Sequence, residues 1–153
     1  MLTDEETTEL QFAIDANDVG QVRALIAPHS AEDLSSLQLY GNSTAFMYAV
    51  ERSTPEVAKA FLDKGVTAFE LPWSDNNELK SAVRNAHHGP AMTALVLKML
   101  PDELAFDMIT TDWDPDDQPQ GDAKSAFQLA EKLRDPGVKD LMLLALDRLK
   151  AKS

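Results

Sequence analysis

GNSTAFMYAVERSTPEVAKAFLDKGV, residues 41–66, divides into two short helical segments about a turn. Thr44 caps the first, whose small and apolar residues Ala45, Phe46, Ala49 and Val50 fall on one face at helical spacing. Ser53-Thr54-Pro55-Glu56 stops that helix and starts another. Thr54 stands at the N-cap, Pro55 takes the first helical position, where its missing N–H costs nothing, and Glu56 faces the positive helix end. Val57, Ala58, Phe61 and Leu62 make the second apolar stripe, and Gly65 is the expected residue just past the helix C-cap.

The same grammar recurs outward in both directions. Toward the C-terminus, Ser125-Ala126-Phe127-Gln128-Leu129-Ala130 answers Thr44-Ala45-Phe46-Met47-Tyr48-Ala49, and Asp135-Pro136 answers Thr54-Pro55. A last helix carries Val138, Leu141, Met142, Ala145, Leu146 and Leu149. Toward the N-terminus, residues 7–27 read as a helix pair with Leu10, Ala13 and Ile14 on the first helix and Val22, Leu25 and Ile26 on the second. Asp18-Val19-Gly20-Gln21 has the form of a capping box between them, with Val19 in the place of Pro55. Pro28 ends that pair, and a loop with one turn of helix at 31–37 is expected through Asn42. A third pair starts near Asn77: Leu79, Ala82 and Val83, then the turn His87-His88-Gly89-Pro90, then Met92, Leu95, Val96, Met99 and Leu100. A short helix over 102–109 precedes a turn-rich acidic stretch. The helix-start marks Val19, Pro55, Pro90 and Pro136 are 36, 35 and 46 residues apart.

Residues 44–49 and 55–62 resemble an ankyrin repeat, whose pattern is T-P-L-H-x-A followed by a turn and a second helix, here with Ala45 for Pro and Met47 for His. Two intervals lie close to the ankyrin period of about 33 residues, and the third is that period plus the acidic insertion. In the third unit the hexad has dissolved into residues 78–83. The resemblance covers residues 7–149. It implies an all-α fold: an ankyrin-like solenoid of about four stacked helix-turn-helix repeats, approximately 7–40, 41–76, 77–124 and 125–149, in a single domain over 1–153 with the acidic insertion before the last repeat. A tetratricopeptide array is the structural alternative, but the sequence lacks its large aromatic-and-glycine signature.

The bulk composition narrows the function classes. At 153 residues with 44% apolar content, one folded domain is expected. The absence of cysteine removes disulfides, thiolate nucleophiles and cysteine-based metal sites. The acidic start Leu2-Thr3-Asp4-Glu5-Glu6 is not a secretory leader and no apolar run is long enough to span a membrane, so a cytoplasmic location is expected. A net charge of −12 disfavours nucleic acid and anionic membranes, which need basic surface. The charge keeps the protein soluble, or it attracts a basic partner. Its distribution leans to the second reading, since residues 1–22 and 101–123 each carry many carboxylates and no Lys or Arg.

In ankyrin repeats the inter-repeat fingers and first helices bind partners, so the resemblance implies a non-enzymatic protein–protein interaction module, an adaptor, inhibitor or immunity-type antagonist. The finger regions hold Tyr40, Trp73 and Trp113, the kind of aromatics that anchor interfaces, with Asp114, Asp116 and Asp117 beside the last. These six are the candidate partner-binding residues. Trp73, next to Leu71 and Pro72, equally suits a ring covering the edge of the stack. Asp112, Asp114 and Asp116 alternate as at the start of a calcium loop, but Asp117 stands where such a loop needs Gly and Ala123 where it needs Glu. His87 and His88 are adjacent, so their side chains diverge and do not chelate one ion unaided; a role in the turn is expected. No catalytic or nucleotide-binding motif is present in the sequence, and neither cofactor nor metal is expected. The alternative is a small enzyme with a pocket near the third repeat, using His87 or His88 as acid or base. The expected partner is another protein with a basic surface, met by a monomer.

Overall fold

Capping residues decide where these helices begin. The computed structural model describes residues 2–40, 43–66, 77–110, 129–130 and 136–152, and among them nine helices and one short β-ribbon. The chain divides into two compact units, Met1–Phe69 and Glu70–Ser153. No helix among the described residues is long and apolar enough to cross a membrane.

In the first unit, α1 (Asp4–Asp15) starts three residues before the expected position. Thr3 accepts from the Glu6 N–H while the Glu6 carboxylate accepts from the Thr3 N–H, a reciprocal capping box that satisfies two otherwise orphaned donors. Helix α1 ends in a left-handed turn at Asn17 (φ 57°), with the Asn17 N–H donating to the Ile14 carbonyl and the Asp18 N–H to that of Ala13. Asp18 then caps α2 (Val19–Ile26) by accepting from the Gln21 N–H at 3.0 Å. One aspartate thus closes one helix with its backbone and opens the next with its side chain.

Ser30 caps the short α3 (Ala31–Ser36). Where a loop was expected, β1 (Gln38–Tyr40) pairs antiparallel with β2 (Ser43–Thr44), pairing Gln38 with Thr44 and Tyr40 with Ser43. Thr44 both ends the ribbon and caps α4 (Ala45–Arg52), accepting from the Met47 N–H at 3.2 Å. Helix α5 (Pro55–Asp63) starts at Pro55 with Thr54 as its cap. It ends at Gly65 (φ 96°), where the Val66 N–H returns to the Phe61 carbonyl. The expected boundaries of this pair are the observed ones.

Helix α1 packs on α2 and α4 on α5, and the two hairpins lie like against like, α1 on α4 and α2 on α5. Ser53 ties the two hairpin turns together: its buried hydroxyl sits 2.9 Å from the Ile14 carbonyl and 2.7 Å from Asn17 Oδ1. The core of the unit holds Leu10, Ile14, Val22, Phe46, Val57 and Phe61, all essentially inaccessible. One expectation needs refinement. Helix α4 buries every residue from 45 to 50, Met47 and Tyr48 included, and not a single stripe, because α1, α3, α5 and both strands pack around it.

In the second unit, Asn77 caps α6 (Glu78–Val83), accepting from the Lys80 N–H at 2.9 Å. Helix α6 packs on α7 (Gly89–Met99), and α9 (Pro136–Ala151) packs on α7 and on α8 (Asp102–Thr110). Val138, Met142 and Ala145 are the buried stripe of α9. All four helix-start marks therefore fall at helix starts: Val19, Pro55 and Pro136 are first residues, and Pro90 is the second residue of α7. Ala130 is as completely buried as its counterpart Ala49.

Candidate partner-binding surface

Of the six residues singled out as partner contacts, Trp73, Trp113, Asp114, Asp116 and Asp117 lie outside the described residues, as does the acidic stretch around them. Tyr40 closes β1, the strand of the ribbon that precedes α4. The His87–His88 turn is described. His87 is exposed and His88 half-buried, their rings meet edge-on at 6.5 Å between centroids, and both backbone N–H groups donate to Asn85 Oδ1, at 3.1 and 2.8 Å. That arrangement is a side-chain-stabilised turn delivering the chain into α7.

The described side chains that assemble on a helix face belong to α1 and α4. Tyr48 is 3% exposed, and its hydroxyl donates to Asp15 Oδ1 across the hairpin interface at 2.7 Å. Burial of the ring, reinforced by the adjacent Asp15 carboxylate, pushes the Tyr48 phenol above its ordinary value, so it stays a protonated donor. The Arg52 guanidinium covers the ring face at 5.1 Å from its centroid. One helical hairpin earlier, Phe12 of α1 is 68% exposed. Phe12 and Tyr48 are 36 residues apart, the spacing of the helix-start marks Val19 and Pro55.

Comparison with family models, with curated proteins and with solved structures finds no match, so the surface has to be read from its own chemistry.

The described residues also line clefts away from α1 and α4. One, of about 290 Å³, runs between α2 and α5, where Arg23 meets Asp63 at 3.1 Å and Lys64 donates to the Ala27 carbonyl at 2.7 Å. Both members of that ion pair are about half exposed, so it contributes little to stability. The other, of about 770 Å³, separates Phe106 and Asp107 of α8 from Leu149 and Lys150 of α9, beside a surface pair of Lys152 with Asp102 at 3.0 Å. Neither cleft is lined by His87 or His88. Among the described residues, no group of three or more His, Asp or Glu is placed to hold a metal ion.

The sequence reading missed the polar character of α6. Asn77, Glu78, Lys80 and Ser81 are all inaccessible, with Asn85 nearly so, although a Lys and a Glu two residues apart on a helix would be expected to reach water. Glu78 and Lys80 both have partners, as buried charges require. On α7, the buried Thr93 hydroxyl has no hydrogen-bond partner among the described residues. No periodicity in the sequence marks these positions, because hydrophobic patterning assigns Glu and Lys to the solvent side.

At the foot of α1, His29 Nε2 lies 2.8 Å from Glu6 Oε2, joining the helix start to the segment after α2. The His29 hydrogen bond, with that from the Thr3 backbone, holds the Glu6 carboxyl below its ordinary value. A lowered folded-state value stabilises the fold above the ordinary glutamate range, and that contribution is lost as pH falls through the lowered value. In a carboxyl-carbon NMR titration, Glu6 is expected to have its midpoint below that of an unfolded-chain glutamate, and His29→Ala to move it upward. An unchanged midpoint in His29→Ala would leave the Thr3 cap as the whole cause.

Proposed function

We propose that this protein is a non-enzymatic, ankyrin-like array of helix-turn-helix repeats that binds another protein carrying a basic surface. The observation that supports this best is the like-on-like packing of two capped hairpins in the first unit, α1 on α4 and α2 on α5, joined through a β-ribbon. Repeats built this way bury their apolar faces in one another and leave the outer edges of the stack to carry contacts. The charge of −12, with no Lys or Arg before Arg23, supports a basic counterpart. In this reading Tyr40, Trp73 and Trp113 are anchors, and Asp114, Asp116 and Asp117 steer the encounter.

The test is affinity capture from native extract at low and high salt, followed by binding kinetics on the purified partner. A discrete basic protein retained at low salt is expected. Trp113→Ala should weaken its binding by about tenfold or more with an unchanged melting curve. Neutralising Asp114, Asp116 and Asp117 together should slow association and flatten its salt dependence. If nothing is retained at either salt concentration, the module reading fails. If a partner is retained but both variants bind it like wild type, the interface lies elsewhere on the chain.

A further inference from the structure

Helix α9 carries more apolar surface than its neighbours cover. Residues 141–146 read Leu-Met-Leu-Leu-Ala-Leu, an unbroken apolar run, and a helix apolar on all sides is ordinarily enclosed. Here α7 and α8 pack on it, and Val138, Met142 and Ala145 form its buried stripe. On the other side Leu144 is 66% exposed and Leu143 42%. Leu144 stands midway between Asp140 and Arg148, four residues from each, so the three side chains form one ridge along the helix. Asp140 and Arg148 are both exposed. Neither has an oppositely charged residue three or four positions away on α9, and neither is in an ion pair among the described residues.

We infer that this ridge pairs with the same ridge of a second copy of the chain, in a two-fold antiparallel contact centred on Leu144. The order of the charges singles out that occupant. Read backwards, acidic–apolar–basic becomes basic–apolar–acidic, which is its own complement. In an antiparallel pair, Asp140 of each copy therefore opposes Arg148 of the other, and leucine meets leucine at the centre. A parallel copy would set aspartate on aspartate and arginine on arginine, so the same three residues fix the orientation. Ridges of residues four apart interlock at a crossing angle of about −50°, the commonest helix packing in globular proteins, and this lays the two lines side by side. A purely apolar partner would cover Leu144 but leave both charges without a counterpart. A contact of one helix per copy falls short of the roughly 1,600 Å² of a standard interface, so the pair is weak and forms as concentration rises. The net charge of −12 opposes it at long range, but salt at about 0.15 M screens that repulsion beyond about 8 Å. The pairing replaces the monomer expected from the sequence and does not depend on the interaction-module reading.

The test is sedimentation equilibrium of the full-length protein in about 0.15 M salt, over a concentration series reaching about 1 mM. A reversible monomer–dimer equilibrium is expected, with no larger species, because an isologous contact closes on itself. Asp140→Arg and Arg148→Asp should each weaken the dimer about tenfold or more. Asp140→Arg should do so although it makes the protein less negative overall. Mixed one to one, these two variants should pair with each other, since one then carries two arginines on the ridge and the other two aspartates. The double variant D140R/R148D should regain wild-type association. Leu144→Ala should weaken the dimer without lowering the melting temperature, because the side chain is largely exposed in the single copy. A protein that stays monomeric to the top of the series overturns the inference. So does a dimer indifferent to Asp140→Arg and Leu144→Ala, which would use another face. Failure of the two single variants to associate on mixing overturns it as well.

Discussion

Phe61→Ala is expected to cost the first unit about 3–5 kcal/mol, the range for truncating a fully buried phenylalanine. Phe61 is completely inaccessible and meets Phe46 edge-to-face, with ring centroids 6.3 Å apart and planes at 60°. That geometry is favourable for aromatic pairs, so the change removes a specific contact as well as apolar area. Phe61 also sits on the helix that packs against both α2 and α4, so the cavity would open where two hairpins meet. For a unit of this size such a loss corresponds to a fall in melting temperature of roughly 12–40 °C. Phe12→Ala is the internal contrast: it deletes the same side chain from a position 68% exposed, and its melt is expected to stay close to wild type. A Phe61→Ala melt that overlays the wild type would mean that Phe61 is outside the core and that the register of the hairpins is wrong.

What the sequence made legible was local chemistry. Thr54 with Pro55, Asp18 before Val19, and Gly65 after Lys64 each act within a few residues of themselves, and each stands where a helix starts or stops. The same rule, applied to Thr3 and Glu6, would have placed the start of α1 correctly; the S/T-x-x-E spacing was there to be read. Features set by long-range packing were not legible. The β-ribbon pairs Gln38 with Thr44, and although Gly41-Asn42 between its strands is a turn signal, strands this short show no alternating pattern. The burial of Met47 and Tyr48 depends on elements arriving from both sides of α4, which a single amphipathic stripe does not announce. The buried Glu78 and Lys80 go against patterning altogether, because their burial depends on partners elsewhere in the fold. On the functional side, aromatic content drew attention to Tyr40, Trp73 and Trp113. Nothing in the sequence marks Phe12, whose ring is 68% exposed while that of Tyr48 is buried.

Ala49→Glu is expected to have the largest effect of any single change considered, more than about 4 kcal/mol at neutral pH. Ala49 is fully inaccessible on a helix packed by α1 on one side and α5 on another, and the Ser53 N–H donates to its carbonyl at 2.9 Å as the helix ends. A longer side chain there overpacks the hairpin interface, and a carboxylate adds the cost of losing its water. The two components separate by pH. Burial raises the folded-state value of the new carboxyl above its unfolded value. The charge penalty is therefore absent below the unfolded value, grows as pH rises between the two, and is constant above the folded value. Ala49→Gln carries nearly the same volume without the titration, so the stability gap between the two variants should open as pH rises from about 4 to 7. Ala13→Glu and Ala130→Glu, at matched positions 2% and 0% exposed, should follow the same course. Ala91→Glu, in the exposed first turn of α7, should change stability by no more than about 0.5 kcal/mol. Chemical denaturation of the five variants at two pH values measures all of this. A gap between Glu and Gln at position 49 that stays flat with pH would show that the carboxylate reaches water, and that α4 is not enclosed on the side where Ala49 lies.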